Sequence, residues 1–153
     1  DEGKQHMIMN GMDVTDDIRT PDISKKASDV SAHGCVREML LDMQRDVAKQ
    51  YNVVMDGRDI GTVVLPKADV KIFLTASAEV RAKRRTLELE AKGQKADYNQ
   101  ILKAIQERDY NDSHRAIAPL KMARDSIKVD TSDMNIDEVI LTIRQIVGKK
   151  IPV

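Results

Sequence analysis

The sequence predicts an α/β fold: helices flank a parallel sheet, and a hairpin with a helix forms an N-terminal appendage. Three observations carry that prediction. Short apolar runs near Val53, Val70 and Ile127 alternate with helical stretches, the pattern of parallel strands joined by crossover helices. Two extended runs flank Asn10-Gly11, the dipeptide that best tolerates positive φ at both centres of a type I′ turn. The run Val53-Val54-Met55-Asp56 leads straight into Gly57-Arg58-Asp59-Ile60-Gly61, which delivers charge where ligands of parallel sheets sit, outside the carboxyl ends of strands.

Taken in order, Gln5–Met9 and Met12–Thr15 are the hairpin. Thr20-Pro21-Asp22 then supplies a capping hydroxyl, a proline at the first helical position and an acid in the first turn, so a helix should run from Pro21 to about Ala32. His33-Gly34 ends it. Val36, Leu40, Met43 and Val47 recur at helical spacing on a second helix, followed by the strand Asn52–Asp56. A second strand covers Ala68–Leu74, and the charged helix after Ser77 fades at Lys92-Gly93. Asp97 with Gln100 starts the next helix in the manner of a capping box, and Ile101, Ala104 and Ile105 stripe it down to about Arg115. A third strand, Ser126–Val129, precedes a last helix that Asn135 and Glu138 can cap. Three core strands are fewer than the roughly five usual for a sheet, so a piece is expected to be absent from the front.

At 153 residues the length suits one domain, and 25 basic against 25 acidic residues leave no overall field to attract nucleic acid or an anionic membrane. The single cysteine, Cys35, excludes an internal disulfide and fits a reducing compartment, and no apolar run approaches the ~18 residues of a membrane span. A cytoplasmic address is expected. His6, His33 and His114 lack ligand-like spacing with acids, so no metal site is expected, and the methionines should fill gaps in the core.

Arg108, Asp112 and Arg115 fall at i, i+4 and i+7, on one helix face. Such a face is either a solvated ladder of ion pairs or an arginine clamp for a phosphate. The sequel Ala116-Ile117-Ala118-Pro119-Leu120 is apolar and stopped by proline, which would dock the helix end and turn the face into a crevice. Around Asp56, aspartates that cap the backbone and glycines at positive φ would explain Gly57 and Gly61 but give Arg58 no task. Ser28, Ser31 and Arg37 are weak on their own, because helical serines are mostly surface residues. Arg81, Arg84 and Arg85 suit either a solvated face or a lid that closes on polyphosphate. No Gly-x-x-x-x-Gly-Lys-Ser/Thr occurs in the sequence, so a phosphate-cradling loop is missing from it.

From about Gln5 to Ile146 the chain resembles the bacterial cytidylate kinases. The likeness rests on Asp13-Val14-Thr15-x-x-Ile18-Arg19-Thr20-Pro21, Ala27-Ser28-x-Val30-Ser31, Val36-Arg37-Glu38, Asp56-Gly57-Arg58-Asp59-Ile60-Gly61-Thr62-Val63-Val64, Lys71-Ile72-Phe73-Leu74-Thr75-Ala76-Ser77 and Arg108-Asp109-x-x-Asp112-Ser113-x-Arg115, in that family's order. It departs at His33-Gly34-Cys35, where relatives often carry a proline.

The resemblance implies an incomplete P-loop nucleoside monophosphate kinase fold and transfer of a phosphoryl group from ATP, with Mg²⁺, to CMP or dCMP. It places Ser28, Arg37 and Asp59 on the cytosine edge, Arg58 and Arg115 on the monophosphate, and Arg108 and Asp112 on the ribose, with Arg58, Asp59 and Arg115 as the catalytic set. Arg81, Arg84 and Arg85 would border the ATP phosphates beside a short lid near 84–97. Residues 1–32 would belong to an enlarged monophosphate-binding domain and 33–153 to the rest of the core. Without a phosphate loop the chain alone should be inactive and hold no tightly bound cofactor. Surface left uncovered could drive self-association. Two other readings stand beside this one: a non-catalytic nucleotide-binding or interaction module, and nucleic-acid binding through Arg81 to Arg85, which the balanced charge and 3% aromatic content disfavour.

Overall fold

The computed structural model describes residue 3 and residues 5–31 and 33–151, and for Pro21, Ser24, Lys25 and Ser28 the backbone alone. The chain divides into two compact units, Asp1–Asn52 and Val53–Val153.

In the first unit β1 (Ile8–Met9) and β2 (Met12–Asp13) pair antiparallel, Ile8 opposite Asp13 and Met9 opposite Met12. Asn10 and Gly11, at φ 51° and 81°, make the turn that the dipeptide predicts. Beyond the strands the Val14 N–H donates to the Met7 carbonyl, and the Met7 N–H to the Thr15 hydroxyl, both at 2.9 Å. A 3-10 turn, Asp17–Arg19, leads into α1 (Pro21–Ser31), where the Thr20 hydroxyl accepts from the Ile23 N–H at 3.4 Å. Ala32, the expected end of this helix, lies outside the described residues. His33 is extended at the start of α2 (Gly34–Gln50), so His33-Gly34 ends one helix and opens the next.

No buried side chain occurs among the described residues of this unit, and Met39, Leu40, Met43 and Val47 stand exposed along α2. Methionines are expected in core gaps, yet Met7, Met9, Met12, Met39 and Met43 of this unit are all exposed. The two-residue strands and two helices enclose too little volume to need a filler.

The second unit contains β3 (Ile72–Thr75), α3 (Ala78–Ala91), α4 (Tyr98–His114), β4 (Ile127–Asp130) and α5 (Ile136–Lys150). β3 and β4 pair in parallel, from Ile72 opposite Ile127 to Thr75 opposite Asp130, with α3 and α4 in the crossover between them. The expected strand at 52–56 does not form, and the described sheet has two strands rather than three. Val54 is fully exposed there, at 103% of its reference area. An apolar run becomes a strand only where another backbone takes its N–H and C=O groups, and β3 and β4 pair with each other.

Local capping chemistry sets the helix starts. The Ser77 hydroxyl accepts from the Val80 N–H at 3.2 Å, and the Asp97 carboxylate from Asn99 and Gln100 N–H at 2.8 and 3.1 Å. At α5 the reciprocal box is complete: Asn135 Oδ1 accepts from the Glu138 N–H at 3.0 Å and Glu138 Oε2 from the Asn135 N–H at 2.7 Å. Among the described residues Val64, Ala76, Ala82 and Val129 are the buried apolar ones, and Ala82, at 0% exposure, lies on α3, which packs against α4. Lys71 threads its stem inward and donates from Nζ to the Asp125 carboxylate at 2.6 Å and the Pro66 carbonyl at 2.5 Å.

Candidate functional site

The segment after Asp56 is built around one carbonyl. Asp59 O accepts from the N–H groups of Thr62, Val63 and Val64 at 3.2, 2.8 and 3.2 Å, and Leu65 N–H closes on Ile60 O at 2.7 Å. The result is a single π-type turn over Ile60–Val64, rooted by Val64 at 4% exposure. Such turns are rare and concentrate at functional sites. Neither glycine of the block uses positive φ, contrary to the turn reading. Gly57 answers a demand for space, since a Cβ there would stand 2.8 Å from Ile60 Cγ1.

From this anchored loop Arg58 reaches α4, where its Nε donates to Asp112 Oδ2 at 2.8 Å across 54 residues of sequence. Arg108 Nε lies 3.9 Å from the same oxygen. Asp112 is buried at 8% exposure, whereas the Arg58 and Arg108 side chains keep 43% and 58%. A buried carboxylate thus orients the half-exposed Arg58 guanidinium by a hydrogen bond and attracts that of Arg108 by charge. Each guanidinium carries five donors, so the bond to Asp112 leaves four on Arg58 able to serve an anion.

Arg115 ends α4, and its Nε donates to the Ala118 carbonyl at 2.6 Å. Ala118 holds φ 48°, a left-handed conformation that an L-residue adopts under constraint, and the Leu120 N–H donates to the Asp112 carbonyl at 2.7 Å. The segment 116–120 therefore folds back on the helix end. Arg115 Nη2 is buried without a hydrogen-bond partner, a donor that an oxyanion would satisfy. Arg58, Arg108 and Asp112 thus form one cluster, with Arg115 at the end of the same helix.

In the first unit Arg37 Nη1 donates to the Ser31 carbonyl at 3.2 Å, while the Ser28 side chain lies outside the described residues. The three α3 arginines have separate partners. Arg81 donates from Nε to the Ala76 carbonyl at 3.0 Å and through both Nη atoms to the two Asp109 oxygens at 2.9 and 2.5 Å. That carboxylate raises the pKa of the Arg81 guanidinium. Arg84 Nη2 donates to the carbonyls of Thr131 and Met134 at 2.5 and 3.0 Å, and Arg85 Nη1 meets Glu88 at 2.7 Å. The sequence reading gave Asp109 no role. Arg81 and Asp109 are 28 residues apart, and no local pattern links them.

A hollow of about 750 Å³ lies by the hairpin, with His6, Asp13, Thr15 and Arg19 in its wall, and another of about 490 Å³ is lined by Gln106, Glu107, Tyr110 and Asn111. Neither includes Arg58, Arg108, Asp112 or Arg115, so the bonded geometry at Asp112 identifies the candidate site better than cavity volume does. Among the described residues no three His, Cys, Asp or Glu side chains are placed to hold a metal ion. No described helix is long and apolar enough to cross a membrane.

Residues 2–149 match the family model for cytidylate kinase. The cytidylate kinase of Lactobacillus johnsonii is 51% identical over 150 residues, covering 98% of this chain and 65% of the relative. That of Caldicellulosiruptor saccharolyticus is 52% identical over 149 residues, 97% of this chain and 66% of the relative. A Clostridium botulinum cytidylate kinase is 53% identical over 144 residues, 94% and 66% respectively. The chain spans about 65% of the length of the curated relatives it matches. A matched region of this extent, carrying a guanidinium–carboxylate cluster assembled from the Asp-Gly-Arg-Asp block and the Arg-Asp-x-x-Asp helix, makes the chain a member of the cytidylate kinase family.

Proposed function

We propose that these residues supply the acceptor side of an enzyme that transfers a phosphoryl group from ATP to CMP or dCMP, giving CDP or dCDP. The observation that carries this reading is the meeting of Arg58 and Arg108 on the buried carboxylate of Asp112, at 2.8 and 3.9 Å. Phosphoryl transfer asks a protein to position two anions and neutralise their charge, and guanidinium groups oriented by a buried acid do that without a general base. Arg58 and Arg115 hold the monophosphate, the second through its buried, unpartnered Nη2. Arg108 and Asp112 serve the ribose. Asp59, and from the first unit Ser28 and Arg37, recognise the amino donor and the acceptors of cytosine, and uracil would leave such groups unpaired.

On α3, Arg85 is the arginine that turns to the ATP phosphates when the 84–97 lid closes. Its present partner, Glu88, is a half-exposed neighbour on the same helix, and surface pairs of this kind are easily exchanged for another partner. Mg²⁺ would enter with the nucleotide phosphates, and no described cluster is assigned as its ligand set. Because the phosphate-cradling motif does not occur in these 153 residues, they bind the acceptor without turning it over.

Calorimetric titration of the 153-residue chain with CMP and UMP, alongside a CDP-formation assay with MgATP, tests this. CMP should bind, with affinity at least about tenfold weaker for UMP and for Arg58→Ala, and CDP should stay at background. Equal CMP affinity in Arg58→Ala would remove Arg58 from the site. Kinase-like turnover by the purified chain would overturn the assignment of these residues to acceptor binding alone.

A further inference from the structure

We infer that Arg81 is a positioning residue that fixes the rotation of α4 through Asp109 and thereby holds Arg58, Arg108 and Asp112 in register. This rests on the reading of that cluster as the acceptor site and adds a residue that touches none of its members. All three nitrogens of the Arg81 guanidinium are engaged: Nε on the carbonyl of Ala76, just beyond β3, and both Nη atoms on Asp109. A fork-on-fork pair fixes direction as well as distance, which a single bond does not. Asp109 follows Arg108 directly and lies three residues before Asp112, so it neighbours Asp112 on the helix surface.

Geometry makes that rotation matter. Turning α4 by roughly 20° would move a side-chain tip that lies roughly 5–6 Å from the axis by about 2 Å. A shift of that size breaks the 2.8 Å bond from Arg58 to Asp112. α3 packs against α4, and a small, fully buried side chain such as Ala82 carries no direction of its own. The Arg81 fork supplies the missing direction, and its other end is tied to the end of β3.

The test uses the 153-residue chain and reads the Arg58 Nε–H directly, by its exchange with water in ¹⁵N NMR. In Arg81→Lys and Asp109→Asn, which keep charge or shape but lose the fork, that exchange should rise about tenfold while the thermal midpoint moves little. CMP affinity should fall by about tenfold or more in the same variants, as expected when a binding group is misplaced by an ångström or so. Lys103→Ala, which removes an exposed ion pair with Glu107 on α4 itself, should change neither.

Unchanged Arg58 exchange in folded Arg81→Lys overturns the inference, and so does raised exchange with unaltered CMP affinity. Arg81→Ala is read only if it folds, and the two milder variants decide otherwise. A wild-type chain that binds no CMP refutes the site reading alone, and Arg58 exchange then decides the role of Arg81.

Discussion

Each of the two units of this chain is held by bonds of a different reach. The bonds that close the hairpin, from Met7 to Thr15 and between His6 and Asp13, span eight and seven residues. Those that shape the second unit run from Arg58 to Asp112 over 54 residues, from Lys71 to Asp125 over 54 and from Arg84 to Thr131 over 47. The buried residues follow the same division, since Val64, Ala76, Ala82 and Val129 all belong to the second unit. Structure in the first unit is decided by neighbours in sequence. Structure around Asp112 is decided by helices and strands arriving together, so the candidate site feels any change that moves α3 against α4.

A pair of substitutions should separate the units most strongly. Ala82→Leu inserts volume where exposure is 0%, and overpacking of that kind costs about 1–3 kcal/mol. Met43→Ser, on the exposed stripe of α2, should change stability by no more than about 0.5 kcal/mol. Urea unfolding of the chain measures both. A loss in Met43→Ser as large as that in Ala82→Leu would mean the α2 stripe is covered in solution, and the contrast between the units would vanish.

A smaller effect probes local chemistry inside the long-range unit. Asn135→Ala removes the side-chain half of the α5 capping box and should destabilise the chain by about 1 kcal/mol in the same urea experiment, with Glu138→Ala smaller. No measurable loss would show that α5 is held wholly by its packing.

Such caps were legible in the sequence because they depend on residues two or three apart. Asn10-Gly11, Thr20, Ser77, Asp97 and Asn135 each stand where their chemistry places them. The strand expected at Asn52–Asp56 failed for the complementary reason: a strand is a property of two backbones, and periodicity describes one. The π-type turn after Asp59 and the positive φ of Ala118 left no signature either, because nothing in Ile60–Val64 or in an alanine announces an unusual backbone. At the site, Arg108 and Asp112 could be set on one face by counting, and the structure adds Arg58 to them. The Arg81–Asp109 fork became visible only once α3 and α4 were side by side.

The smallest expected effect lies in the hairpin and tests whether its local bonds persist in solution. Thr15 donates to the Asp13 carboxylate through its hydroxyl and its N–H, and the His6 ring sits 2.6 Å from the second oxygen. These contacts, the Thr15 hydroxyl first, lower the carboxyl pKa from 3.8 to about 2. A depressed folded-state pKa means that the ionised carboxylate stabilises the hairpin above the ordinary value and that this support fades as pH falls from 3.8 toward about 2. Following the Asp13 carboxyl carbon by NMR should give a midpoint near 2, and Thr15→Val, which removes the largest cause, should raise it toward 3.8. Glu88, held at about 2 by Lys92 and Arg85 on α3, provides the matching reference in the other unit. If Glu88 titrates low while Asp13 titrates at its ordinary value, bonds of short reach do not keep the hairpin closed without a core beneath it. The first unit would then depend on burial that its own residues do not provide.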